Sequence, residues 1–172
     1  MVCSSCDKRI PEESRFCMYC SQSVGITKAF DDIVVVKKAT IESRLMEGFN
    51  RIQAISPETT GIDNISMELL ILPPGAESLP HAHKNVHTVV YIIGGSVRAY
   101  VGERLEKYHD ILSGDFVYVP PDVIHFPINK GNEVLVAVVA RTPANSSVVE
   151  FKELTHNVRG VDIIHEVHEV IE

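Results

Sequence analysis

Positive charge is scarce in this sequence. Its 16 lysines and arginines face 23 aspartates and glutamates, for a formal net charge of −7. A chain without a basic surplus has no field to draw it to phosphate, which argues against a general nucleic-acid or anionic-membrane binder. Long apolar runs are also missing. None approaches the ~18 residues of a membrane-crossing helix, and no positively charged leader followed by an apolar stretch opens the sequence. The expectation is a cytoplasmic protein with no membrane partner. Hydrophobic residues make up 45% of the chain, enough for a real core, which argues against disorder. At 172 residues there is room for one ordinary domain and a small appendage.

Cysteine is absent beyond residue 20. The four that exist form two pairs, Cys3-x-x-Cys6 and Cys17-x-x-Cys20, ten residues apart. Two such pairs on opposed turns bring four thiolates to the tetrahedral geometry that suits zinc. Two disulfides are the alternative, but cysteines two residues apart pair poorly, and a chain expected in a reducing compartment keeps its thiols. The segment "MVCSSCDKRIPEESRFCMYC" resembles the short zinc ribbons at the ends of many prokaryotic proteins. A module this small cannot bury a core, so metal would supply most of its folding energy. Its fixed charges nearly cancel, Lys8, Arg9 and Arg15 against Asp7, Glu12 and Glu13. That argues against DNA and leaves structural capping or contact with a protein partner.

The remaining chain divides by composition. Residues 1–22 are read as the ribbon, 23–30 as a linker within "SQSVGITKAF", 31–155 as a β-barrel domain and 156–172 as a C-terminal tail. From residue 31 onward short apolar runs recur: "VVVKKATI", "ISMELLIL", "TVVYII", "SVRAYV", "DFVYV" and "EVLVAVVA". Turn signals separate them, among them "PPGAE", "GG", "SGD", "PPD" and "NKGNE". Many short strands at this spacing predict an all-β sandwich or barrel. "ESRLMEGFNRIQAI" is compatible with helix or strand, as is the terminal "HNVRGVDIIHEVHEVIE".

Histidine is concentrated in "PHAHKNVH", where His81, His83 and His87 fall within seven residues. All three share odd parity with Val89, Tyr91 and Ile93, so an unbroken strand would point them to one side, into a barrel. A neutral imidazole is the commonest metal ligand, and His-x-His on a strand is a two-toothed clamp. A second stretch, "SGDFVYVPPDVIHFPIN", adds a strand, a turn and His125.

The two stretches together resemble the paired motifs of the cupin family. Gly75-x5-His81-x-His83-x3-His87-x6-Gly94 is similar to the first motif, with His87 where an acidic residue is usual. Gly114-x5-Pro120-x-Asp122-x2-His125-x3-Asn129 is similar to the second, with Asp122 where glycine is common. The resemblance implies an all-β double-stranded β-helix, a jelly-roll barrel, holding one divalent metal on His81, His83, His87 and His125. It also implies a homodimer. Four neutral imidazoles would leave the metal its full charge, favour anionic ligands and disfavour the trivalent state. They would leave two positions of an octahedral ion open. All-nitrogen ligation accommodates Fe, Mn, Ni, Cu, Co or Zn.

Other polar residues receive plainer readings. His109, His156, His165 and His168 lack motif context, the last two on a solvated tail. Arg51, Glu68 and Arg98 are expected on solvent-facing positions of strands; any that turned inward would be a candidate for orienting substrate, because a charge inside a barrel needs a partner. Tyr91, Phe116, Tyr118 and Phe126 are expected mostly in the core. Asn129 is expected to bond a turn, and Gly75, Gly94, Gly114 and Pro120 to occupy turns. Two functions compete. One is a metal-dependent, dioxygenase-like enzyme acting on a small oxygenated or anionic molecule. The other is a non-catalytic ligand- or metal-sensing module whose ribbon docks a protein partner.

Overall fold

A computed structural model describes residues 2–3, 6–11, 17–20, 32–41, 43–46, 49–144 and 147–158. The chain forms two compact units, residues 1–34 and 35–172. The expected linker and most of the expected tail, His165 and His168 included, lie outside the described residues.

The larger unit is built from eleven described strands: β1 (Arg44–Met46), β2 (Phe49–Ile55), β3 (Ser66–Leu72), β4 (His81–Lys84), β5 (His87–Gly94), β6 (Ser96–Val101), β7 (Lys107–Leu112), β8 (Phe116–Val119), β9 (His125–Ile128), β10 (Leu135–Thr142) and β11 (Ser147–Glu150). They pair antiparallel in two sheets, one ordered β1-β2-β3-β10-β5-β8 and the other β11-β4-β9-β6-β7. This is the expected all-β, two-sheet jelly roll. "ESRLMEGFNRIQAI" resolves into β1 and β2 rather than a helix. "VVVKKATI" is not a strand: residues 33–37 carry no regular structure and Lys38–Thr40 form a short 3-10 turn.

Period-two patterning closes one end of the barrel. Leu72, Ile92, Val97, Ile111, Leu135 and Ala137 pack as a buried cluster between the sheets. Their registers explain the contact, since Leu135 lies opposite Leu72 and Ala137 opposite both Leu70 and Ile92. Directly opposed residues share a face. A second cluster, Tyr100, Leu105, Phe126, Ile128 and Val158, covers the outer side of β6 and β9, so the segment after β11 supplies part of the core.

Two turns need glycine for different reasons. Gly95, between β5 and β6, has φ +78°, and a Cβ there would sit 2.6 Å from the Val134 carbonyl oxygen and 2.9 Å from Leu135 Cα. Gly75 has φ +75° but open space around it. Gly94, expected at a turn, instead ends β5 with an ordinary backbone. Gly95→Ala is therefore expected to cost more than about 2 kcal/mol, from backbone strain plus collision with main chain, whereas Gly75→Ala should cost about 1 kcal/mol from strain alone. Equilibrium denaturation of the two variants, followed by circular dichroism, checks the difference.

Candidate metal centre

Three histidines meet inside the barrel because of one register contact. His81 and His83 are two apart on β4 and therefore face the same side. β4 and β9 meet with His81 directly opposite His125, which puts the third ring on that face. The ring centroids are 5.0 Å (His81–His83), 4.3 Å (His81–His125) and 5.5 Å (His83–His125) apart. One nitrogen from each ring lies within 4.8 Å of the others.

The hydrogen bonds prepare this set for a cation. His81 Nδ1 is 2.7 Å from the Leu79 carbonyl oxygen and His125 Nδ1 is 2.9 Å from that of Val123. A carbonyl only accepts, so Nδ1 carries the proton in each neutral ring and Nε2 keeps its lone pair. His83 is 4% exposed, and neither of its ring nitrogens has a hydrogen-bond partner among the described residues. Two buried ring nitrogens without partners are costly unless one of them meets a metal. Burial, reinforced by Arg141, His81, His125 and Arg51, holds the His83 pKa down to about 2. Burial likewise lowers that of His81. At neutral pH both rings are in the form that ligates. The residues present therefore fit a divalent metal.

His87, the fourth expected ligand, is not part of this cluster. It is exposed at the start of β5, where its Nδ1 is 2.8 Å from the Tyr118 hydroxyl. The physical reason is the turn after β4. Asn85 adopts a left-handed backbone (φ 57°), and the chain passes from one sheet to the other before β5 begins. Parity is not carried across such a break. On β5 the inward residues are Thr88, Val90 and Ile92, while Val89, Tyr91 and Ile93 face outward. Tyr91, Phe116 and Tyr118, expected mostly in the core, lie on the exposed face; Phe126 is buried. Three imidazoles would leave three positions of an octahedral ion open, one more than four would.

A small chamber of about 100 Å³ adjoins the rings, walled by β-strands of both sheets and lined by His81, His125, Thr88, Arg51 and Arg141 among apolar side chains. Arg51 and Glu68 are not solvent-facing; they are 8% and 6% exposed. Glu68 Oε1 accepts from Arg51 Nη1 at 3.2 Å and also from Arg141 Nη1. A single carboxylate oxygen thus holds two guanidinium groups. Arg98 does reach the surface, where it pairs with Asp110. The signal for the inward charges was present in the sequence: Glu68 shares parity with Leu70 and Leu72, and Arg141 with Leu135, Ala137 and Val139. A larger, open hollow of about 420 Å³ near Val36, Gln53 and Glu58 contains none of the clustered ligands.

Supporting turns behave as expected in part. Asn129 is fully buried, donates to the carbonyls of Leu72 and Glu133 at 2.8 Å each, and accepts from the Gly131 N–H at 3.0 Å. Asp122, where the resemblance favours glycine, has φ 63°, a conformation that aspartate tolerates better than most residues. Its N–H donates to the His83 carbonyl and ties the turn before β9 to β4. His109 and His156 are exposed and join no ligand cluster.

In the smaller unit Cys3, Cys6, Cys17 and Cys20 converge. A turn through Asp7 (φ 53°) returns the chain so that the Cys3 N–H bonds Lys8 O and Val2 bridges Arg9. The sulfurs of Cys3 and Cys20 are 3.7 Å apart and those of Cys6 and Cys17 3.5 Å. A disulfide needs about 2.05 Å, whereas sulfurs about 2.3 Å from a tetrahedral zinc are about 3.8 Å apart. Burial works to raise the Cys17 thiol pKa, but N–H groups of Tyr19 and Cys20 outweigh it and leave the pKa lowered to about 7. The cluster is compatible with a zinc site and fits a small ribbon.

Comparison with known proteins supports the architecture. The cupin family model matches residues 50–164. Germin-like protein 9-3 of Oryza sativa subsp. japonica is 25% identical over 88 residues, covering 50% of this chain and 41% of that protein. The chain thus spans less than half the length of this curated relative. Among solved structures, the polyketide cyclase RemF from Streptomyces resistomycificus is similar with TM-score 0.59 and 13% identity, over 69% of this chain and 85% of that one. A single-residue variant of Bacillus subtilis oxalate decarboxylase gives TM-score 0.55 and 27% identity, over 64% of this chain and 30% of that one. Two antiparallel sheets enclosing a histidine cluster, and a family match over more than half its length, make this chain a member of the cupin family.

Proposed function

We propose that this protein is a metal-dependent enzyme of oxygenase type, acting on a small oxygenated or anionic molecule. The molecule would be held on a divalent metal between His81, His83 and His125. The observation that carries this reading is His83, whose two buried ring nitrogens lack any hydrogen-bond partner among the described residues, beside two rings that present Nε2. Such a metal would supply Lewis-acid polarisation of a substrate oxygen. The protein's own residues do the rest. The neutral rings keep a cation's charge undiminished, and Val90, Ile92, Val117 and Val119 give the chamber apolar walls. Arg51 and Arg141 favour an anion there. Enzymes among the barrel's likenesses, a polyketide cyclase and an oxalate decarboxylase, support the catalytic reading.

The four cysteines are read as a structural zinc ribbon. Two copies of the chain are read as pairing through the outer face of β5 and β8, where Val89, Tyr91, Ile93, Phe116 and Tyr118 leave a large apolar surface in contact with water. Phe116, 82% exposed on the edge strand β8, is the residue such pairing would cover most usefully.

Protein purified without chelators or affinity metals is expected to contain two metals per chain by elemental analysis, one of them zinc. His81→Ala, His83→Ala and His125→Ala should each lose the barrel metal and keep zinc, while His87→Ala keeps both; a loss in His87→Ala equal to that in His81→Ala would restore the four-histidine arrangement. Cys17→Ser should lose zinc alone. Iron- or manganese-loaded protein should consume oxygen with a member of a panel of small diketones, thiols and flavonols, and silence throughout with metal bound would favour the binding module. Light scattering should report a dimer that Phe116→Glu converts to monomer.

A further inference from the structure

Thr88 Oγ1 and Arg141 Nε are buried at the chamber with no hydrogen-bond partner among the described residues, and a metal cannot explain the second. Thr88 and Arg141 lie directly opposite each other across β5 and β10, so their side chains share one face, and both line the chamber that His81 and His125 also line. A guanidinium N–H is a donor only and has no lone pair to offer a cation. What it lacks is an acceptor. The nearby acid does not supply it, because Glu68 Oε1 already receives Arg141 Nη1 together with Arg51 Nη1. No acidic side chain lines the chamber among the described residues.

We infer that Arg141 and Thr88 form a seat for a carboxylate, and that the substrate class of the barrel is a small carboxylic acid whose remaining atoms lie toward the three histidines. The orientation toward the histidines rests on the metal-enzyme reading above; the seat itself does not. A carboxylate oxygen accepts from Arg141 Nε–H and from the Thr88 hydroxyl at once, giving the buried cation a charge-assisted partner. A neutral carbonyl would satisfy the geometry but would gain less from a charged donor than a carboxylate does. The small cavity and its valine and isoleucine walls limit the rest of the molecule to a short, largely apolar body.

The test uses the full-length purified protein, its metal content assayed, with propionate as probe because it does not strip metal. Propionate should raise the melting temperature saturably, and its neutral amide, propionamide, should not. Arg141→Gln should weaken propionate binding at least tenfold and Thr88→Val several-fold, with metal content unchanged in both. Thr88→Val keeps the side-chain shape, so it carries the test if Arg141→Gln fails to fold. Equal propionate binding in wild type and Thr88→Val, or propionamide binding as tight as propionate, overturns the seat. Inorganic phosphate binding in place of propionate overturns the carboxylate assignment. Arg141-dependent propionate binding by protein that takes up no barrel metal upholds the seat and removes the metal-enzyme reading instead.

Discussion

The functional end of the barrel depends on a single antiparallel contact, the one that sets His81 opposite His125 across β4 and β9. Strand periodicity adds His83 to the same face at no further structural cost. Backbone carbonyls two residues before His81 and His125 then fix their tautomers. A one-residue slip between β4 and β9 would send His125 to the opposite face and disperse the cluster. The neighbouring contacts guard against that slip: β9 is held on its other side by β6, with Tyr100 opposite Phe126, both fully buried on the outer face. The packing that stabilises one side of the sheet thus sets the geometry on the other.

Charge inside the same barrel obeys a second constraint. Guanidinium groups are expensive to bury unless they are paired, and here one oxygen of Glu68 serves both Arg51 and Arg141. Because β3 lies between β2 and β10, the carboxylate sits on the middle strand and an arginine on each flank. That arrangement keeps cationic groups beside the imidazoles and so discourages protonation of the rings. His83 shows the consequence most clearly, with burial and the adjacent Arg141 both acting to keep it neutral. The polar half of the chamber and the apolar cluster at its other end divide the inward faces of the two sheets between them.

Part of this was legible from residues alone. Alternating apolar positions between Gly, Pro and Asp turns indicated two-sheet β architecture, because burial on one side of a strand leaves a period of two in the sequence. The spacing of His81, His83 and His125 within two ordered motifs marked the cluster. His87 lies outside the group of His81, His83 and His125 because parity holds only within a continuous strand, and the turn at Asn85 reset it. The outward placement of Tyr91 follows from the same reset, and Tyr118 shares that face because it lies opposite Val89. Arg51 and Glu68 were misjudged for a different reason. A charged residue in an alternating strand usually faces water; the parity of Glu68 with Leu70 and Leu72 pointed inward, but only the neighbouring strands reveal that Arg51 and Arg141 share one of its oxygens.

What the sequence by itself determined is the local alphabet: strands from period-two burial, turns from residues that tolerate unusual backbone angles, a thiol cluster from paired Cys-x-x-Cys, and a histidine pair fixed on one side of a strand. These depend on bonds and neighbours a few residues apart. Which face looked inward after each turn, which strand lay beside which, and therefore that Thr88 and Arg141 rather than His87 stand near the three rings, was decided only by the tertiary structure. The reason is that those relations are set by registers between strands about fifty residues apart along the chain, as with Thr88 and Arg141, which no local pattern records.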